Sequence, residues 1–363
     1  MRLNIMETIS YKKFIAQLTD KAYREDVPLN GSFELTPLCN LDCKMCYVHL
    51  QDPSVRHRML SGKQWIGLME QAISKGMMTA MLTGGEAMTH PDFWDIYMYL
   101  INQGISIRLK TNGLLLTEET IARLVEYPPI QIDVSLYGCD SESYVAVTGV
   151  DAFERVSKNI QMAIDAGLSL QIMVTPSSYM SPWTNRVMEV AKSFGVSVMV
   201  NSTLFAPNEN TGRKLEDINI SVSEEIKIQD DRKELFPRDQ YSDIDSFYGT
   251  EQERPHISDK GLHCNAGRTG FTINWEGIMS PCIQFPRNII SANPLVDGFE
   301  HAWCAINQGV KEYAVPKECH SCKYNERCHY CPVAHQKTAA LHQCDPKVCK
   351  RNQQKLSYFS ANK

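Results

Sequence analysis

The sequence predicts an α/β fold: a parallel sheet, closed or partly closed into a barrel, followed by a smaller cysteine-rich module. Three observations carry that prediction. Between residues 31 and 204, short β-branched runs alternate with amphipathic stretches, the pattern of repeated strand and helix units. Nine of the thirteen cysteines lie in the last hundred residues. Between these regions, from about 205 to 260, the chain is polar and highly charged (SVSEEIKIQDDRKELFPRDQYSDID).

In chain order, residues 1–30 read as a helical lead-in, and 31–204 as the barrel. Its candidate strands are 32–36, 79–83 (TAMLT), 105–110 (ISIRLK), 130–136 (IQIDVSL), 168–174 (LSLQIMV) and 196–200 (VSVMV). Ser61 followed by Gln64 is a capping-box pattern for a helix that Gly76 closes. Pro91 opens another that Gly104 closes, and Gly167 and Gly195 stand where helices should end. Strands separated by helices imply right-handed crossovers between parallel neighbours, with chemistry gathered at the carboxyl ends of the strands. Several notable loops fall on that rim. A three-cysteine loop follows the first strand, Gly84-Gly85-Glu86 the second and Thr111-Asn112-Gly113 the third; Ser135 ends the fourth, and Asn201 follows the sixth. Residues 205–260 read as a connector or lid with one helix near 223–236, and 261–363 as the cysteine-rich module.

A chain of 363 residues and 41.2 kDa can hold one large domain or two unequal ones. Its net charge of −5, with lysine and arginine dispersed, gives no footprint for nucleic acid. The first residues lack an apolar core of signal-peptide length, and no run approaches the roughly 18 apolar residues of a membrane span. A cytoplasmic protein without membrane partners is expected. Disulfide frameworks belong to small secreted domains, so the thiols are expected to bind metal.

Cys39, Cys43 and Cys46 follow the alternation Ser32-Phe33-Glu34-Leu35. Three thiolates on a short loop can ligate three irons of a 4Fe-4S cube and leave the fourth open. Structural zinc requires a fourth ligand, for which His49 is at hand. In the tail, Cys264 and Gly277 precede Cys282, then CxxCx5CxxC runs through Cys319, Cys322, Cys328 and Cys331, and Cys344 and Cys349 follow. That motif alone also fits a zinc ribbon. His320, His329, His335 and His342 lie among these cysteines and read as surface residues.

These residues resemble the radical S-adenosylmethionine (radical SAM) enzymes, whose signature is CxxxCxxC after the first strand of a partial (β/α)6 barrel. The resemblance implies that S-adenosylmethionine fills the open iron site through its amino and carboxylate groups. Met81-Leu82-Thr83-Gly84-Gly85-Glu86 is similar to the family's GGE stretch, where Gly84, Gly85 and Glu86 would take the cofactor's ammonium group and the glycines would permit close backbone approach. Ser135 and Arg155 match positions that contact the methionine carboxylate in related enzymes, and Thr111-Asn112-Gly113 matches a turn near the ribose. Each has an ordinary alternative: the GGE and TNG stretches are common turns, Ser135 can cap the next element, and Arg155 can be a solvated helix residue. Two residues depart from the pattern: Met45 stands where an aromatic is frequent and Ala87 where proline is common.

The tail resembles the SPASM extension of such enzymes, which holds two auxiliary 4Fe-4S clusters. By that analogy Cys264, Cys282 and Cys331 serve an inner cluster and Cys319, Cys322, Cys328 and Cys344 an outer one. Cys349 either completes the inner cluster or is free. The last spacing is two residues where the extension usually has three. Cys139 and Cys304 fit no ligand place; they read as small buried hydrophobes or as hydrogen-atom donors. The resemblance implies reductive cleavage of S-adenosylmethionine to methionine and a 5'-deoxyadenosyl radical, with electrons from a donor such as flavodoxin or ferredoxin. The expected substrate is a peptide or protein, cross-linked or otherwise oxidised as in ribosomal peptide (RiPP) maturation. The alternatives are an anaerobic sulfatase maturase, or a peptide epimerase using Cys139 or Cys304. Related sulfatase maturases carry an aspartate base after the second extension cysteine; here that residue is Ile283.

Overall fold

The structure, a computed structural model, describes residues 11–48, 50, 52–201, 204, 218–235, 264–322, 331–335 and 343–361. The expected lead-in helix is α1 (Tyr11–Glu25). The six expected strands all form: β1 (Asn30–Glu34), β2 (Thr79–Thr83), β3 (Ser106–Thr111), β4 (Gln131–Ser135), β5 (Leu170–Val174) and β6 (Ser197–Val200). They lie side by side in chain order, each parallel to the next. The intervening helices are α2 (Gly62–Ser74), α3 (Phe93–Asn102), α4 (Glu118–Glu126), α5 (Ser141–Thr148), α6 (Phe153–Asp165) and α7 (Thr184–Ser193). Consecutive parallel neighbours joined by helices make the partial-barrel order. The first strand ends two residues earlier than expected, because Pro37 follows and turns the chain.

The helix starts follow local chemistry. Ser61 and Gln64 form the expected reciprocal capping box at the head of α2: the Gln64 amide donates to Ser61 Oγ at 3.4 Å, and the Ser61 amide donates to Gln64 Oε1 at 3.0 Å. The helix expected near 223–236 is α8 (Val222–Leu235). In this part of the polar segment, Ile218, Ile220 and Ile228 are buried in the main core. Glu225, 1% exposed, receives Arg351 at 2.7 Å and Lys355 at 2.8 Å from the C-terminal helix α10 (Pro346–Ala361). The remainder of the proposed connector lies outside the described residues.

Two further strands complete the sheet. β7 (Gly270–Ile273) pairs parallel with β1, and β8 (Met279–Ser280) pairs antiparallel with β7, so the order is β6-β5-β4-β3-β2-β1-β7-β8. One sheet thus runs through the barrel and the start of the cysteine-rich region. The seam is aromatic. Phe33 of β1 meets Trp65 of α2 edge-on at 6.0 Å and Phe271 of β7 at 5.8 Å, and Phe271 meets Phe299 and Trp303 of α9 (Phe299–Glu312) at 5.2 and 6.1 Å. Trp303 Nε1 donates to Asp26 O at 2.6 Å, tying α9 to the end of α1.

Alternation along the strands separates two faces. Phe33, Leu82, Leu109, Ile132 and Ile172 are fully buried beneath the helices. Their neighbours form the polar opposite face: Ser32 is in register with Met81 and Thr272, Arg108 with Met81 and Gln131, and Asp133 with Lys110 and Gln171. Asp133, 2% exposed, accepts from Arg108 Nη2 at 3.1 Å and Gln131 Nε2 at 3.0 Å. Burial of Lys110 lowers its ammonium pKa. Among the described residues, no helix is long and apolar enough to cross a membrane.

Because Phe271 is buried among three aromatic rings of other elements, Phe271→Ala should cost about 3–5 kcal/mol in urea unfolding. A loss below about 1 kcal/mol would mean that the seam contributes little cohesion.

Candidate active site

The three-cysteine loop leaves β1 at Leu35 and is seated by its neighbours. Its carbonyls at Thr36 and Leu38 accept the amides of Gly85 at 2.7 Å and Glu86 at 2.9 Å. Its amides at Asp42 and Lys44 donate to Thr148 O at 2.9 Å and Val147 O at 3.0 Å. Those two carbonyls end α5, where a helix has no partner of its own to offer them. Within the loop, the Cys46 amide donates to Cys43 O at 3.0 Å.

Gly84 and Gly85 serve this seating. A Cβ on Gly84, whose φ is 140°, would lie 2.4 Å from Thr36 O, and one on Gly85 would lie 2.2 Å from Leu38 O. The close backbone approach expected at these glycines is therefore made first to the cysteine loop itself.

Glu86 knits the loops after β2 and β3. It is 1% exposed; its Oε2 accepts Thr111 Oγ1 at 3.0 Å and the Asn112 amide at 2.8 Å, and its Oε1 accepts the Met88 amide at 3.4 Å. Burial pushes its carboxyl up to about 7 against those donors. Asn112 then reaches the cysteine loop, its Nδ2 lying 2.6 Å from Asn40 Oδ1 and 3.6 Å from Cys39 Sγ. Asn159 of α6 holds the same turn by donating to Gly113 O at 2.9 Å.

Ser135, at the end of β4, hydrogen-bonds the phenol of Tyr137, which in turn hydrogen-bonds Cys43. Tyr137 is a site neighbour that sequence reasoning missed. Arg155 stands in the first turn of α6 and is exposed, apart from the buried Glu86 network. Asn201 donates its amide to Val174 O at 2.9 Å and lies at the rim beyond β6. Cys139 is 7% exposed, with its sulfur 3.7 Å from Ser143 Oγ in the cap of α5. Cys304 is exposed on α9, outside the sheet. Met45 and Ala87, the two departures from the family pattern, are both buried in the core.

The thiols fall into three groups. Cys39, Cys43 and Cys46 are electrostatically coupled; burial pushes Cys39 up to about 12 and raises Cys43 well above its ordinary value, and in each case the neighbouring thiols add to the shift. Cys282, pushed up to about 12 by burial, is coupled to Cys264 and Cys331. Cys319 Sγ lies 3.1 Å from Cys344 Sγ and is coupled to Cys349 and Cys322. Cys349, on α10, is thus electrostatically coupled to Cys319. Cys328 and His49 lie outside the described residues. Among the described residues no group of three or more of these side chains is already arranged to hold a metal ion; ionised thiols this near one another repel, which a bound cation would relieve.

Tyr47 joins two of the groups. Burial raises its phenol well above the ordinary value, and Glu34, Cys46 and Cys282 all act on it electrostatically. Glu34 ends β1 on the polar face, 1% exposed, with Arg287 at 3.9 Å. Sequence reading missed both residues, since only the strand alternation at Glu34 and the place of Tyr47 after Cys46 hinted at them.

Residues 33–181 match the model of the Radical SAM superfamily. That stretch holds the three-cysteine loop and Glu86, and over it the chain is similar to that superfamily. It is 24% identical over 302 residues to the antilisterial bacteriocin subtilosin biosynthesis protein AlbA of Bacillus subtilis, covering 79% of this chain and 64% of AlbA. It is 23% identical over 313 residues to the mycofactocin maturase MftC of Mycobacterium tuberculosis, covering 84% of this chain and 78% of MftC. The crystal structure of Streptococcus suis SuiB bound to S-adenosylmethionine superposes with a TM-score of 0.70 at 18% identity, over 96% of this chain and 84% of SuiB, which shows the fold. Over residues 33–181 the chain is thus similar to radical SAM proteins, and that family implies S-adenosylmethionine and one 4Fe-4S cluster.

Two measurements probe this geometry. Gly85→Ala should unseat the cysteine loop while leaving the barrel folded, so reconstituted protein should lose about four irons per chain; full iron would mean that the loop yields to a Cβ. Burial lifts the Glu34 carboxyl from 4.5 to about 7 in the folded state, with Arg287 opposing. A folded pKa above the unfolded one favours folding at low pH and loses that advantage as pH rises through it. Cofactor-free Glu34→Gln should therefore melt higher than wild type at about pH 8 and match it near about pH 4.5. The same difference at both values would show that burial does not strain this carboxyl.

Proposed function

We propose that the chain is a maturase that oxidatively modifies a peptide or protein segment at the carboxyl rim of the barrel. The observation that carries this reading is the continuous sheet: β7 pairs with β1, and the β7–β8 hairpin leads into Cys282, so one sheet carries both the first cysteine loop and the start of the extension. A substrate held there borders both thiol groups, as an oxidation with a second electron acceptor requires. The relatives support a peptide: AlbA serves bacteriocin biosynthesis, MftC is a maturase, and SuiB has been seen bound to its precursor peptide SuiA.

In this reading Cys39, Cys43 and Cys46 hold the first cluster. Its open iron and the loops at Gly84, Gly85, Glu86, Thr111, Asn112, Ser135 and Arg155 hold S-adenosylmethionine. When bound and reduced, that pair supplies hydrogen-atom abstraction. The protein's own residues position and tune. Tyr137 and Asn112 aim donors at Cys43 and Cys39, stabilising their thiolates, while Glu86 fixes the loops around them. Two auxiliary 4Fe-4S clusters occupy the other groups. Cys264, Cys282 and Cys331 hold the inner, and Cys319, Cys322 and Cys344, with Cys328 and Cys349 as further candidates, hold the outer. A flavodoxin or ferredoxin supplies electrons. The sulfatase-maturase reading lacks its base, since Ile283 follows Cys282. For an epimerase, Cys139 sits in the cap of α5 with its sulfur 3.7 Å from Ser143 Oγ, and Cys304 is exposed on α9.

Anaerobically reconstituted protein should hold about twelve irons, at about four per cluster. Alanine at Cys39, Cys43 and Cys46 should remove about four irons and all cleavage of S-adenosylmethionine. Stoichiometric zinc without iron would defeat the assignment. Arg155→Ala should keep the iron but weaken S-adenosylmethionine binding by about one to two decades, the cost of a lost charge-assisted contact. Unchanged affinity would remove Arg155 from the site. Mass spectrometry of the modified peptide should show the loss of two hydrogens; one solvent deuterium at unchanged mass would instead mean epimerisation.

A further inference from the structure

Among the described residues, the fully buried carboxylates have partners, with one exception. Asp133 takes Arg108 and Gln131, Glu86 takes three donors, and Glu225 takes Arg351 and Lys355. Among the described residues, Glu34 alone has both carboxylate oxygens buried without a hydrogen-bond donor. Its nearest cation, Arg287, is at 3.9 Å, beyond hydrogen-bond reach, and lies 3.7 Å from Glu276, which Arg58 already holds at 3.0 Å. Charges taken out of water without close donors are strongly unfavourable, so such a group persists where an absent partner completes it.

The location says what kind of partner. Phe33 points beneath the helices, so alternation turns Glu34 onto the polar face of the sheet. It stands at the carboxyl end of β1, where barrels bind their substrates. It acts on the same phenol, Tyr47, as do Cys46 of the first loop and Cys282 of the extension. A neutral amide would satisfy one lone pair and leave the negative charge buried; an ammonium or guanidinium would satisfy oxygens and charge together. We propose that Glu34 is a substrate-specificity residue that receives a lysine or arginine side chain of the peptide at the carboxyl end of β1. This rests on the peptide reading above and deepens it. Arg287, 3.9 Å from Glu34 and 3.7 Å from Glu276, gives neither Glu34 oxygen a hydrogen bond.

The test is an anaerobic display selection of random short peptides on the iron-loaded enzyme with S-adenosylmethionine. Wild type should enrich peptides with a basic residue at one fixed position, and Glu34→Gln should lose that preference while keeping its iron content. For a selected synthetic peptide, Glu34→Gln and replacement of the peptide's lysine by norleucine should each weaken binding about tenfold, and together no more than either alone. Enriched peptides without a basic position, the same peptides on Glu34→Gln, or additive losses would overturn the role of Glu34 while leaving a peptide substrate in place. Enrichment of no peptide over a blank support would defeat the peptide reading itself, and this assignment with it.

Discussion

A loop that carries three thiols into a protein interior must first find partners for its own backbone. Buried amides and carbonyls left unpaired are among the costliest features a fold can hold. Here the loop after β1 meets that demand from two sides. The amides after Gly84 take its carbonyls, and the spent end of α5 takes its amides. Only a Gly-Gly pair lets the chains come this close, and only a helix that ends at Thr148 has carbonyls to give. The positions of Cys39, Cys43 and Cys46 follow from that seating, and so does the place of Asn112, which Glu86 holds against the loop.

The second determinant is the sheet order. A barrel sheet that ended at β1 would leave the cysteine loop on an open flank. β7 pairs with β1 instead, and the β7–β8 hairpin leads directly into Cys282. Through Tyr47 the inner thiol group then comes into reach of the first loop. The return of α10 against Glu225 brings Cys349 beside Cys319, so the outer group is assembled from residues far apart in the chain.

Much of this was legible in the sequence, because buried parallel strands with one polar face print a strong alternation. Thr79–Thr83 was placed to the residue, and the capping box at Ser61 was read correctly from two residues. What sequence reading missed depends on convergence. Strands of four and two residues, joined through Asn274 and Gly277, are too short to show a period. The glycines were read as room for a ligand, when the nearest claim on that room is the chain's own carbonyl. Glu34 looked like one polar beat of a strand, and its isolation appears only when every neighbouring donor is located in space.

The place of β1 inside the sheet has a bearing on how the chain can be divided. With β2 on one side and β7 on the other, β1 has no free edge. A shortened protein that stopped before the extension would expose the whole hydrogen-bonding flank of β1, and the ring of Phe33 beside it. Such a flank invites pairing with the same strand of another copy, and so leads to self-association rather than a minimal barrel. The cysteine-rich region thus covers the edge of β1, whatever it contributes to the chemistry.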